Sequence, residues 1–557
     1  MPPDINALAY VENQRLSGIF DQLGPFRRLR EYVTGPQCAF LGIVAVLELL
    51  RYAMQPALLY PLDDTYIHMA LSRTLLTSGT WGMNPGDWAA ASSSPLWTIL
   101  LAVFAWIPSP AVPLLLNVLI GSLFIAFLER LPAAGLTGGN RAANGPLVWS
   151  VFYGAPLPFL AILGMEHLLH AFLVVLLAYH ATRAIADDAD SAPASSWTIA
   201  LFSALAMLCR YESLAPVALL TLLALGFGRW RIAAALAAGL IPSVALGALW
   251  IHHGGQFLPN SIYLKPQPLD HRSLRALAHN LIWRFNWQFH GRGWLSAATM
   301  LAILLIAVGT FLGARCWRKP RDWRTLLLLV AIGSTSFQFL FGALGWLYRY
   351  EAWLLILNIF ALSYFVRPYF FATGMLLVLM PRAVLDGSDT MSAMQDRFYE
   401  HYLPTLFVRA YEAQVPVVVN DLGVMAYYDR KLVQDMFGLG SDEPLRMRFS
   451  HSYDATHVAA WIARIGAPLA ILQPCWPIIA RVTPPSWQPV GLWIIPHNSV
   501  FDDYAVAFYA TSPGQADRLR RDMAQFEPMF AAYPKLRHYL LPAGIKHAEL
   551  QRLAKCK

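Results

Sequence analysis

Charge is what this chain has least of. Only 14% of its residues are Asp, Glu, Lys or Arg, 57% are hydrophobic, and the mean hydropathy is +0.44. A soluble globular protein carries about 25% charged residues, so a surface that meets water on every side is excluded. Many apolar runs reach the roughly 20 residues that cross a bilayer, and the chain reads as a polytopic α-helical membrane protein. Cysteine is also scarce. Cys38, Cys209, Cys316, Cys475 and Cys556 show no CxxC and no paired spacing, which predicts neither a metal knuckle nor a disulfide framework. There is no GxGxxG, no Walker motif, no internal repeat and no low-complexity segment. The first 37 residues are mostly polar or charged, so a cleavable signal peptide is not expected. The net charge of +8 is not a nucleic-acid signal. The basic residues lie in short clusters beside apolar runs, where they set topology.

What is present divides the chain in three. Residues 1–35, with Arg27, Arg28 and Arg30, read as a cytoplasmic leader. Residues 36–381 carry the apolar runs, in roughly 11–13 spans. Residues 95–128 are broken at Ile107–Pro110, so the number of crossings between 95 and 145 stays open. The basic links at 229–231 (RWR) and 315–324 (RCWRKPRDWR) read as cytoplasmic. Two stretches are too polar to span, an outer loop at 61–94 and a second at 252–295. From residue 382 onward charge becomes frequent. The runs VPVVVN (415–420), APLAIL (467–472), VGLWII (490–495) and YAVAFYA (504–510) read as buried strands. Helical patterns fall at 391–413, 455–465 and 514–532. Alternation of the two predicts a C-terminal soluble α/β domain over 382–557, on the outer side of the membrane.

The loop at 61–94 is the part most unlike a connector. Asp63 and Asp64 stand where the first span ends, with Tyr66, His68 and Arg73 at helical spacings behind them. Paired carboxylates at an aqueous cleft accept a proton from a hydroxyl or hold a divalent cation; a solvated span end is the plainer reading. Glu166 and His167, Arg210 and Glu212, and Arg349 and Glu351 interrupt apolar stretches. Such charges are functional candidates, or they pair with one another to fix helix packing. His167 and His170 read as satisfied helix-face histidines. Asn260, Tyr263 and Lys265 lie in the second loop, where Lys beside Tyr suits either a lipid-borne phosphate or simple snorkelling. Asn420, Asp421 and Gly423 follow a strand and read as turn chemistry, and the 502–504 run DDY as a surface turn.

Six pieces in order carry a resemblance. DDTYIHMALSRTLLTSGTWGMNPG, SSSPLWT, GMEHLLH, CRYES, LPNSIYLK and NDLGVMAYYDRKLVQDMFGLG run discontinuously from about residue 60 to 440. Together they resemble the GT-C fold glycosyltransferases, and within them the arabinofuranosyltransferase (AftB-like) branch. His167 stands where that branch has a small residue, Tyr211 where it has proline, and His68 where it has an aromatic. The resemblance implies a GT-C-like fold and transfer of a sugar, arabinofuranose first, from a polyprenyl-phosphate donor with inversion. The acceptor would be a glycan, glycolipid or protein outside the cytoplasm. It implies Asp63 as general base and Asp64 as the group that orients the acceptor. Lys265, Tyr263, Asn260, Arg210 and Arg349 would face the donor phosphate or sugar, and Glu166, His68, Arg73 and Tyr66 would lie on the acceptor side or behind it. A divalent cation (Mg or Mn) is allowed but not required, with Asp64 and Glu166 as its ligands. The setting would be a bacterial inner membrane, with the site and C-terminal domain facing the periplasm. Two other readings stay open, a transporter or lipid flippase and a non-catalytic glycan-binding assembly protein.

Overall fold

In the computed structural model, residues 34–131, 144–186, 195–264, 282–289, 293–495, 498 and 504–556 are described, apart from 56, 108, 348, 367, 413–414 and 430–431. The leader 1–33, Lys265 and part of the DDY run lie outside the described residues. The first helix, α1 (Gly35–Met54), begins at a reciprocal cap. Thr34 accepts from the Gln37 N–H at 3.4 Å, and the Gln37 side chain accepts from the Thr34 N–H at 3.0 Å. After it come α2 (Asp63–Ser78), α3 (Pro95–Val103), α4 (Val112–Arg130) and α5 (His167–Ala186).

Among the described residues, six helices are long and apolar enough to cross a membrane. They are α1, α4, α5, α6 (Trp230–His252), α7 (Trp294–Gly313) and α8 (Trp323–Phe341). Shorter apolar helices occupy Ser196–Cys209, Tyr211–Gly226 and Ala352–Leu362. The 11–13 spans expected from sequence are reached only if short and broken helices also cross. α3, for instance, has 9 residues, well under a bilayer's ~20. Exposed Leu49, Leu115, Leu222 and Leu305 mark outward faces, which suit lipid rather than water. The last long helix, α9 (Pro368–Arg397), runs straight through residue 382. The change in composition there therefore falls inside an element, and α9, with Pro381 inside it, links the bundle to the C-terminal region.

Beyond it lie α10 (Leu403–Tyr411), α11 (Gly423–Asp429) and one six-stranded sheet. The strands are β1 (Val417–Val419), β2 (Val433–Asp435), β3 (Leu469–Leu472), β4 (Gln488–Ile494), β5 (Ala505–Ala510) and β6 (Arg537–Leu540). Their order is β2-β1-β3-β5-β4-β6, with β1 parallel to β2 and β3 and the other pairs antiparallel. The four strands and the 455–465 helix expected from sequence are present. β2 and β6 were not foreseen, being three and four residues long.

Period-two alternation divides the core. Val417, Val419, Leu469 and Ile471 pack in one cluster with Tyr66, Trp81 and Met83 of the loop at 61–94 and with Trp97 of α3. Val418, Ala470 and Leu472 face away, onto Val458, Trp461 and Ile479. One face of the sheet is thus built against the loop at 61–94. Asn84 fixes the join: its side-chain amide accepts from the Val433 N–H and donates to the Val433 carbonyl, each at 3.1 Å. At Gly82 a Cβ would lie 1.8 Å from the Asp87 carbonyl oxygen, so the loop closes on itself only with glycine there.

Cysteine spacing proved a poor guide. Cys475 and Cys556 form a disulfide across 81 residues of sequence, where no disulfide was expected. The pairing depends on the sheet returning the C-terminus beside the residues after β3, and spacing cannot show that. Replacing Cys556 with Ser is expected to destabilise this domain by about 2–4 kcal/mol. Thermal unfolding with and without reductant checks it: reductant should lower the wild-type midpoint and leave that of Cys556→Ser unchanged.

Candidate functional site

The two aspartates at the head of α2 face different partners. Asp63 turns toward the C-terminal domain. Its carboxylate accepts the Gly423 N–H at 2.5 Å and the Val424 N–H at 2.8 Å, the first amides of α11. Those amides have no partner within their own helix, and the helix dipole favours a negative charge there. Beside Asp63 lies Asp421, and beyond it His401 and Arg397. Arg397 donates to His401 Nδ1 at 2.8 Å, so the neutral imidazole carries its proton on Nε2 and points it at Asp421, 3.2 Å away. Arg397 also pairs with Glu400 at 2.5 Å. The Phe398–Tyr402 turn is a π-helix, an irregularity frequent at functional sites, and it carries Glu400 and His401.

Asp64 turns the other way. It pairs with Arg349, which lies over the Tyr350 ring at 4.8 Å. Arg210 lies 5.9 Å from the centre of the same ring. Arg210 in turn holds Glu212 at 2.7 Å and Glu166 at 2.5 Å, and His68 Nε2 is 3.4 Å from Glu166. His68 is oriented by Ser92 (3.0 Å) and Thr98 (3.3 Å). A chain of charge therefore runs from Asp64 through Arg349 and Arg210 to Glu166 and His68. The Arg210–Glu212 pairing anticipated from sequence is present. Arg349 and Glu351 part company: Glu351 takes Arg382 and the Gly345 N–H (2.8 Å). His170 is half satisfied: Nε2 meets Ser213 at 2.8 Å, while Nδ1 is buried with no hydrogen-bond partner among the described residues. His167 is not satisfied: it is buried with no hydrogen-bond partner among the described residues.

A cavity of about 230 Å3 opens between the two arrangements. Asp63, Asp64, Arg349, Arg397, Asp421 and Trp476 are on its wall. The environments drive its carboxylates apart. Burial, with Asp421 nearby, pushes the Asp63 carboxyl well above the usual range, against the pull of His401 and the Val424 amide. Burial also works to raise Asp64, but the charge and hydrogen bond of Arg349 carry it below that range. Asp421 is raised by burial despite Arg397. His401 is pushed down to about 3 by burial and by Arg397, so it is neutral.

Other expected site residues do different work. Tyr66 is fully buried, its hydroxyl accepting the Tyr60 N–H at 2.9 Å. Arg73 donates to the carbonyls of Tyr427 (2.6 Å) and Ala426 (2.8 Å), at the C-terminal end of α11. Asn260 donates to Asp442 at 2.7 Å and Leu439 at 3.1 Å, tying the second outer loop to the C-terminal domain. Tyr263 packs edge-on against Phe449. None of these four is on the wall of the 230 Å3 cavity.

The cation ligands expected from the resemblance, Asp64 and Glu166, are paired with Arg349 and Arg210. Each is neutralised by its own arginine, which a metal would have to displace. Asp63, His401 and Asp421 do converge, with one ligand atom each within 4.8 Å. This set does not suit a metal either. The Nδ1 lone pair of His401 is taken by Arg397 and Nε2 bears the proton, so the imidazole has no lone pair to give. Arg397 is the counter-charge of the cluster.

Asp421, His401, Arg397 and Glu400 were missed by the sequence reading. Asp421 had a signal, since it follows β1 at the carboxyl end of a parallel strand, where ligands bind. His401 had none.

Comparison with known proteins adds little. Residues 395–509 match a family described as "Domain of unknown function (DUF8728)". No curated protein matches the chain. Among solved structures, ArnT from Cupriavidus metallidurans in the apo state is similar at a TM-score of 0.41 and 12% identity, over 86% of this chain and 99% of that one. The Archaeoglobus fulgidus oligosaccharyltransferase in the apo form gives 0.32 and 10%, over 86% and 75%. At these values neither likeness carries weight beside the geometry of the site.

The close approach at Gly423 is a direct test of that geometry. A Cβ there would lie 2.3 Å from the Asp63 carbonyl oxygen and 2.8 Å from its carboxylate. Gly423→Ala is expected to prise Asp63 off α11 and cost about 1–3 kcal/mol. Limited proteolysis between the bundle and the C-terminal domain, faster in the variant, is the measurement; equal rates would mean that the contact is not formed.

Proposed function

We propose that the chain is a membrane glycosyltransferase of the GT-C kind. It takes a sugar from a polyprenyl-phosphate donor and passes it to a hydroxyl outside the cytoplasm. The observation that carries this reading is the pair of adjacent carboxylates driven in opposite directions at the wall of one cavity. Two carboxylates whose environments separate their proton affinities divide the acid–base and electrostatic roles between them. Asp63, the more basic, removes the proton of the acceptor hydroxyl. The acceptor oxygen then bonds to the anomeric carbon from the face opposite the phosphate. The C–O bond to phosphate breaks, its electron pair leaves with the phosphate oxygen, and the configuration inverts. Asp64 stays ionised and holds Arg349 in place. Arg349, with Arg210 across Tyr350, supplies positive charge for the departing phosphate. A lipid-tethered donor needs such a site where spans end.

The sugar and the compartment follow from weaker support. Arabinofuranose is favoured by the ordered motifs between residues 60 and 440. The Cys475–Cys556 disulfide supports an oxidising, extracytoplasmic setting for the C-terminal domain, as in a bacterial periplasm.

The test is transfer from a synthetic short-chain polyprenyl-phosphate arabinofuranose by purified protein. Asp63→Asn should cut transfer about 100- to 10,000-fold without unfolding the chain. A base whose proton affinity is raised is ionised only at higher pH, so the wild-type rate should fall as pH drops through that raised value. Asp421→Asn removes a like charge and should move this fall to lower pH. Turnover of a polyprenyl-phosphate hexose alone would keep the reaction and replace the sugar. Inertness toward every prenyl-phosphate sugar would leave the transport and glycan-binding readings.

A further inference from the structure

A second cavity, larger than the one beside Asp64, lies elsewhere among the described residues. It holds about 550 Å3, against about 230 Å3 for the one beside Asp64, and falls in the range of small-molecule pockets. It lies along α2 toward its C-terminal half, between the end of α3 and the α10–α11 edge of the C-terminal domain. No residue lines both cavities.

The lining divides into two ends. Leu101, Phe104 and Ile107, from α3 and the turns that follow it, are apolar. Arg409 of α10 and Tyr428 of α11 are polar, and Asp429 is the one carboxylate on the wall. Arg73 and Arg409 together outweigh it in charge. Arg409 is exposed and forms no salt bridge among the described residues. The apolar end lies where a helix too short to span gives out. Ile99 and Val103 of α3 are exposed, and Trp106 in the turn beyond is 71% exposed. Exposed apolar residues that end in an exposed tryptophan mark the level of lipid headgroups. A cleft at that level whose wall joins Leu101, Phe104 and Ile107 to the polar side chains of Arg73, Arg409 and Tyr428 has the mixed polarity of one molecule class.

We infer that this cavity binds an anionic phospholipid, with the acyl chain along Leu101, Phe104 and Ile107 and the headgroup phosphate on Arg409. Charge complementarity selects an anionic headgroup over a zwitterionic one. The bound lipid would bridge the bundle and the C-terminal domain, because the apolar wall belongs to the first and the arginine to the second. The inference does not rest on the transfer reaction.

The experiment uses the full-length protein in phosphatidylcholine nanodiscs doped with a phosphatidylglycerol that carries a diazirine in its acyl chain. Cross-linked peptides are mapped by mass spectrometry. Labelling should centre on residues 101–112 and fall about tenfold in Arg409→Glu, the loss of one charge-assisted contact. Arg409→Lys should retain it. Ala105→Trp, which narrows the apolar end, should lower it without touching the charge. Labelling of Leu222, on an outward helix face, should be unchanged in all three and serves as the internal reference. Equal labelling by the phosphatidylcholine analogue, or no response to Arg409→Glu, would overturn the inference. Complete competition by a short-chain prenyl phosphate would make the cavity part of the donor site, and competition by a soluble oligosaccharide would make it a glycan site. Either result would also overturn it.

Discussion

The join between α2 and α11 is the contact on which the rest depends. The two helices lie side by side and run the same way. Asp63 meets the amides at the start of α11, and Arg73, nearly three turns along α2, meets the carbonyls at its end. Each charge is placed at the pole of the helix dipole that attracts it. A seven-residue helix would be marginal by itself, so α11 owes its position largely to this clamp and to the apolar packing beneath it. The consequence is chemical. The carboxylate with the strongest candidacy as base is held by backbone amides of another domain, and its proton affinity is raised first by burial and then by Asp421 at the same place. Rigid support of this kind is what a reacting group needs to keep its geometry.

Buried ion pairs surround that join: Arg349 with Asp64, Arg210 with Glu166 and Glu212, Arg397 with Glu400, Arg382 with Glu351. Such pairs contribute little net stability, because desolvation offsets the attraction. Apolar side chains would pack these positions at less cost. Arg349, Asp64 and Arg397 stand on the wall of the cavity beside Asp63, and their charges there argue for electrostatic work. Arg210 and Arg349 flank one tyrosine ring, close enough to repel each other, and each is held by its own carboxylates. An anion arriving between them would relieve that repulsion, which is why the arrangement suits a phosphate better than a cation.

Much of this was readable from residues alone, and the part that was not has a common cause. Hydropathy exposed the six long apolar helices, alternation exposed four strands, and the rise in charge announced a C-terminal region with a small sheet. Asp63 and Asp64 stood out because two carboxylates at a span end are unusual. Glu212 was legible as the partner of Arg210 because it is two residues away. The partner of Arg349 was not: Glu351 stands two residues on, yet the arginine pairs with Asp64 at a sequence distance of 285. Asp421 reads as a turn residue until Asp63 is brought to it from 358 positions earlier. The disulfide has the same character. Local patterns report what a segment does with itself, and the site is made of contacts between segments.

The four residues moved out of the site follow from that same distinction. Tyr66, Arg73, Asn260 and Tyr263 resemble family positions in the right order, and sequence alone gives them a ligand to face. In the fold each is spent on the seam: Tyr66 on the Tyr60 backbone, Arg73 on the end of α11, Asn260 on Asp442, Tyr263 on Phe449. Residues that hold the first outer loop, the second outer loop and the sheet against one another are as constrained as residues that touch a substrate. Loss of any of them would disturb Asp63 through the clamp rather than through chemistry. A motif that spans three segments is thus the expected signature of a site built at their junction, whether its members bind or brace.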